Sequence, residues 1–173
     1  MNLADQSHQD GAQEAPFSIV GAPSLFTPAF VLDNKPTRAQ IERFEAQNLQ
    51  RPQVELPLRH YFTPGLYARE MFIPKGTVLT GAVHKTEHLS VFVGDITVWT
   101  EEGMRRLTGA HTLTSKPGAK RVGYAHEDTY CTGFFPNPDD ETDVFELETR
   151  LCESPERLQN NRSDLHFVTH EED

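Results

Sequence analysis

From Val54 onward the chain is written in short runs rich in Val, Ile, Thr, Phe and Tyr, each closed by a turn signal such as Pro-Gly, Lys-Gly, Gly-Asp or Glu-Glu-Gly. Eight such runs follow one another: Val54–Phe62, Tyr67–Ile73, Thr77–Val83, His88–Val93, Asp95–Trp99, Met104–Thr114, Lys120–Ala125 and Thr129–Phe135. Segments this short, β-branched and regularly interrupted cannot sustain helices, and serial antiparallel strands close into a sandwich or barrel. Eleven glycines and twelve prolines in 173 residues, against 36% hydrophobic residues, suit a turn-rich β core better than a helix bundle.

The flanks read differently. Residues 1–16 are polar and lack periodicity, the composition of an arm that cannot bury enough surface to order itself. Residues 17–53 form an extension in which Thr37 follows a proline as an N-cap, with Ile41 and Phe44 three apart, predicting a short amphipathic helix. The β-runs fill 54–136. In the remainder, 137–173, Val144, Leu147 and Leu151 repeat at helical spacing ahead of a polar tail.

A formal net charge of −10 repels phosphate backbones and anionic membrane surfaces, which makes nucleic acid an unfavoured partner. No apolar run reaches the roughly 18 residues a membrane span needs, and the N-terminus lacks a basic, apolar leader. The expectation is a cytoplasmic protein with Cys131 and Cys152 reduced and used in packing.

The densest chemistry lies in Gly81-Ala-Val-His84-Lys-Thr-Glu87-His88-Leu-Ser-Val91-Phe-Val-Gly94, with three potential metal ligands within five residues. His84 to His88 matches the H-x-x-E-H pattern of inverted zinc peptidases, but that chemistry needs a helix. The flanks are β-rich and glycine-bounded, so the peptidase reading is set aside. Alternation along the run leaves two assignments: Glu87, Leu89, Val91 and Val93 inward, or His88, Ser90 and Phe92 inward. The aliphatic set favours Glu87 inside.

The spacing of Glu87, six residues and then Gly94, with Val91 between, resembles the first motif of the cupin superfamily. Gly109 through Pro117-Gly118 to Tyr124 is similar to the second. The phrases Pro64-Gly-Leu-Tyr-Ala-Arg-Glu, His84-Lys-Thr-Glu-His88, Thr100-Glu-Glu-Gly103 and Pro117-Gly-Ala-Lys-Arg121 also resemble small cupin-like proteins of tailed bacteriophages, mostly without assigned activity. The resemblance implies an all-β, cupin-type double-stranded β-helix, a jelly-roll barrel with short N- and C-terminal helices. It further implies an interior site for a divalent Fe, Mn, Ni or Zn ion, with His84, His88 and His126 as ligands and Glu87 as the alternative. The chain departs from the pattern in lacking a His-x-His pair. It also has Arg121 where the second motif places its histidine, and a guanidinium cannot ligate a metal. Arg121 and Tyr124 are therefore the candidate binders of a small anionic ligand. A homo-oligomer is expected, and a virion or interaction protein that uses its arms is the alternative function.

Overall fold

The computed structural model describes residues 34–153 and the short strand His166–Phe167. The arm 1–16, residues 17–33 of the 17–53 extension and the polar tail lie outside the described residues. The chain order is α1 (Arg38–Asn48), β1 (Leu58–Thr63), β2 (Gly65–Ile73), β3 (Val78–Thr80), β4 (His88–Thr100), β5 (Gly103–Ser115), β6 (Val122–Ala125), β7 (Thr129–Asn137), α2 (Val144–Leu151) and β8 (His166–Phe167). The all-β jelly-roll barrel with its two helices is present.

The strands form one curled sheet in the order β3-β6-β4-β7-β2-β1-β8, with β5 paired along the other edge of β4. Neighbours are antiparallel except β1 and β8. Strand β4 organises the barrel. Its first half, Leu89–Val93, pairs with β7, and its second half, Ile96–Trp99, pairs with β6, while β5 runs beside all of it. The sequence predicts two strands split by a turn at Gly94; the structure has one strand of 13 residues. The hairpin instead falls at Thr100-Glu101-Glu102-Gly103. At Gly94 the strand bends from one neighbour to the other, and Asp95 N–H donates to Thr129 Oγ1 there at 3.2 Å.

Even-numbered β4 residues Phe92, Ile96 and Val98 join Ile73, Leu107 and Ala125 in the interior core. The odd-numbered Trp99 faces outward but is covered by α1, whose Ile41 and Phe44 pack on it and on Val122. Helix α1 begins on a capping box between Thr37 and Gln40. A buried Lys120–Glu45 pair at 2.6 Å, shared by the Thr80 hydroxyl, ties it to the barrel. Helix α2 starts at Asp143, whose carboxylate accepts from two free N–H groups of the first turn. Its Leu147 and Leu151 pack against Tyr67 and Phe135 and cover one end of the barrel.

Candidate anion-binding cavity

Alternation along β4 places His88, Ser90 and Phe92 inside. Glu87 is exposed, and Leu89 and Val93 lie on the outer face at 47% and 48% exposure. The expected inward position of Glu87 is therefore corrected. The aliphatic set Leu89, Val91, Val93 marks an outer surface, because β4 continues through Gly94 and its core residues Ile96 and Val98 share the parity of His88.

His84 lies on the loop ahead of β4 and is fixed by its backbone. Its carbonyl accepts from Gly118 N–H at 2.9 Å, Lys85 N–H donates to the Leu151 carbonyl at 2.8 Å, and His84 bridges Cys152 beyond α2. The His84 and His88 rings are thereby brought within 4.3 Å, centre to centre, and both rest on Phe135 at 5.0 and 4.7 Å. The Thr86 carbonyl lies 3.1 Å from His88 Nδ1 and takes that proton, which leaves Nε2 an acceptor. Cys152 Sγ lies 3.7 Å from His84 Nδ1. Burial pushes the Cys152 thiol up, so it stays protonated. A thiol that donates to Nδ1 sets the His84 tautomer with Nε2–H as donor, and in that tautomer the pair offers one donor and one acceptor.

Both imidazoles are neutral at neutral pH. Burial, reinforced by the Arg69 and Arg121 cations and by His88, pushes His84 down to about 3. Burial also lowers His88, against the opposing pull of the Thr86 carbonyl and with help from the same two arginines. Those guanidiniums share the cavity, of about 240 Å³, with the histidine pair. Arg69 is held by Glu148 of α2 at 3.1 Å, and that carboxylate is 1% exposed. Arg121 is half-buried, its pKa lowered by burial, and it makes no ion pair or side-chain hydrogen bond among the described residues.

His126 and Tyr124 do not reach this cavity. Along β6 the odd residues Gly123 and Ala125 face inward with Arg121 ahead of them, so the even ones face out. Tyr124 packs at the margin of the α1 cluster, and His126 is hydrogen-bonded through Nε2 to Thr97 Oγ1 at 2.7 Å, edge-on to Tyr124. Among the described residues no three His, Cys, Asp or Glu side chains converge as a metal-holding set. The interior provides two imidazoles where a metal site needs three or four ligands. The charged side chains beside them are guanidiniums, which have no lone pair to give, and Cys152, against His84, is held as a thiol by burial. Cys131, one row deeper, is pushed up to about 11 by burial and stays a thiol. The residues present do not fit a divalent ion.

Sequence reasoning passed over Arg69 and Cys131 as cavity residues, and held Ser90 inside only in the second of its two assignments for β4. Arg69 was legible: it alternates with Met71 and Ile73 in the run Tyr67–Ile73 and so shares their inward face.

No protein-family model matches the chain, and no curated protein matches it. Solved structures do. KdgF from Halomonas sp. is similar over 54% of this chain and 88% of its own, with 19% identity and a TM-score of 0.43. An RmlC-like cupin from Shewanella frigidimarina is similar over 52% and 84%, with 19% identity and a TM-score of 0.41. The Lactobacillus farciminis oxalate decarboxylase, in its formate complex, is similar over 59% and 32%, with 15% identity and a TM-score of 0.44.

Proposed function

We propose that this chain, a barrel of the cupin fold, binds a small organic carboxylate in its interior, anchored on Arg121. One observation carries the reading: two guanidiniums enter the cavity, Arg69 is paired with Glu148, and among the described residues Arg121 makes no ion pair, Glu102 acting on it only at longer range. A half-buried guanidinium stays charged at neutral pH, and its planar fork matches a carboxylate with two parallel hydrogen bonds. His84 Nε2–H supplies a further donor to the bound acid. His88 Nε2 accepts from a hydroxyl or ammonium carried beside the carboxylate, so the site distinguishes substituted acids from bare ones. Ser90, tied to Ser115 at 3.0 Å, adds a hydroxyl to the same wall.

Arg121→Gln keeps a polar side chain and removes the charge. Since hydrogen bonds to charged groups contribute about 1.5–3 kcal/mol, hexanoate binding by calorimetry is expected to weaken roughly 10- to 100-fold. The melting temperature of the free protein should hold or rise, because the variant no longer buries an unneutralised charge. Undiminished affinity in the variant sinks the proposal. So does a near-stoichiometric divalent ion in untagged protein that is lost on His84→Ala, because the cavity is then a metal centre.

A further inference from the structure

The cavity has two chemically different ends, and the strand registers fix what stands at each. Arg69, Gly133 and Ser90 form one row across β2, β7 and β4, and Met71, Cys131 and Phe92 form the next. Ile73 follows one row farther on. On the facing strands Arg121 comes first, then Gly123 beside Val98 and Leu79, then Ala125 beside Ile96. The facing parts of the curled sheet agree in direction. Arg69 and Arg121 both act on His84 at one end, while Ile73, Phe92, Ile96 and Val98 make one apolar cluster at the other, with Met71 and Leu79 at its margin. All six of those apolar side chains line the cavity. Cys131, a protonated thiol, behaves as part of the apolar wall.

We infer that the ligand is an amphiphilic carboxylate, its acid group at Arg121 and an unbranched or aromatic hydrocarbon body laid along the apolar rows. This rests on the carboxylate reading above and narrows it. A densely hydroxylated acid would set its hydroxyls against Ile73, Phe92 and Ile96 with no partner, and each such group costs a few kcal/mol in wall-to-water balance, about 1–3 on mutational scales. A hydrocarbon body meets those walls without loss. At ~3.3 Å per residue the Arg69 row lies roughly 13 Å from the Ile73 row. The cavity, of about 240 Å³, leaves room for a hydrocarbon chain along those rows. Val54, 55% exposed, and Leu56 line the cavity together with Leu79 and add to its apolar wall.

The test is calorimetry on the full chain at pH 7.5 with acetate, butanoate, hexanoate, oxalate and 1-hexanol. At about 0.8 kcal/mol per buried methylene, affinity is expected to rise roughly fourfold per added methylene from acetate to hexanoate. Oxalate should bind no better than acetate, and 1-hexanol at least tenfold more weakly than hexanoate. Arg121→Gln should weaken every acid by a similar factor and keep the chain-length slope. If acetate or oxalate binds as tightly as hexanoate and still depends on Arg121, the carboxylate site stands and the apolar-body inference is overturned. If 1-hexanol matches hexanoate, the carboxylate assignment fails and takes the inference with it, as does silence from every acid.

Discussion

Gly94→Val is expected to destabilise the fold by about 3–5 kcal/mol, through backbone strain and overpacking together. That corresponds to a fall in Tm of roughly 6–20 °C for a chain of this size. Gly94 has φ +144°, in the region that L side chains rarely adopt. A Cβ there would lie 2.5 Å from Thr129 Oγ1, 2.6 Å from the Asp128 carbonyl oxygen and 2.7 Å from Thr129 Cα. Two of those neighbours are backbone and cannot rotate away. Thr129 is also pinned: Asp95 N–H donates to its Oγ1 at 3.2 Å, and that hydroxyl donates to the Glu127 carbonyl at 2.8 Å. A branched side chain would push β7 off β4 at the bend that creates the barrel. Gly109, directly across β5 from Gly94, is the internal control, with φ +86° but open space around its Cβ position. Gly109→Ala should cost the strain alone, about 1–3 kcal/mol. Urea unfolding of the two variants checks both statements, and an unchanged midpoint in Gly94→Val contradicts the close approach.

The same glycine explains what was legible in the sequence and what was not. Turn dipeptides and β-branched runs marked the strands because each run is local, and helices α1 and α2 announced themselves through Thr37 and through the spacing of Val144, Leu147 and Leu151. Reading Gly94 as a hairpin cut β4 in two, so Ile96 and Val98 could not inform the side of His88. With the strand whole, three core residues of even number place His88 and Ser90 inside and Glu87 outside. The rule was sound; the strand length fed to it was not.

The histidine set shows a second limit. His84 and His88 meet because a loop is pinned between Gly118 and the end of α2, contacts 34 and more residues apart in the chain. No spacing encodes such a contact. His126 sat at a plausible distance in sequence but on the outward parity of β6, and Tyr124 shares that parity. Arg121, read from the sequence as the residue standing where a ligating histidine belongs, turns out to face the cavity. Its charge is consequential there, because it lowers the proton affinity of the imidazoles and offers an anion the fork a metal cannot use.

Acid is expected to destabilise the protein through His84. The imidazole titrates near 6.5 in the unfolded chain and at about 3 in the fold. Between those values the unfolded state binds the extra proton, so unfolding free energy rises with pH across that window. The neutral ring's full contribution is present above about pH 6.5, and it is lost progressively as pH falls toward 3. At pH 5 the loss from His84 amounts to about 2 kcal/mol, with a limit of roughly 4–5 kcal/mol at pH 3. His88, lowered for the same reason, adds in the same direction. Asp95 and Asp139, held below the usual carboxylate range by Arg106 and Arg150, act only below about pH 4. The interval from pH 7.5 to 5 therefore reports on the histidines. Urea unfolding of His84→Gln should lose less than half as much stability over that interval as the parent; equal slopes would place the sensitivity elsewhere. The bound state supplies the sharper discrimination. A metal held by imidazoles is released as acid protonates them. A carboxylate beside them favours the protonated ring and raises its pKa, so hexanoate should bind more tightly from pH 7.5 down to about 5.5, above the titration of the acid itself. Weakening over that range, with no change in the fold, would count against an anion at this pole.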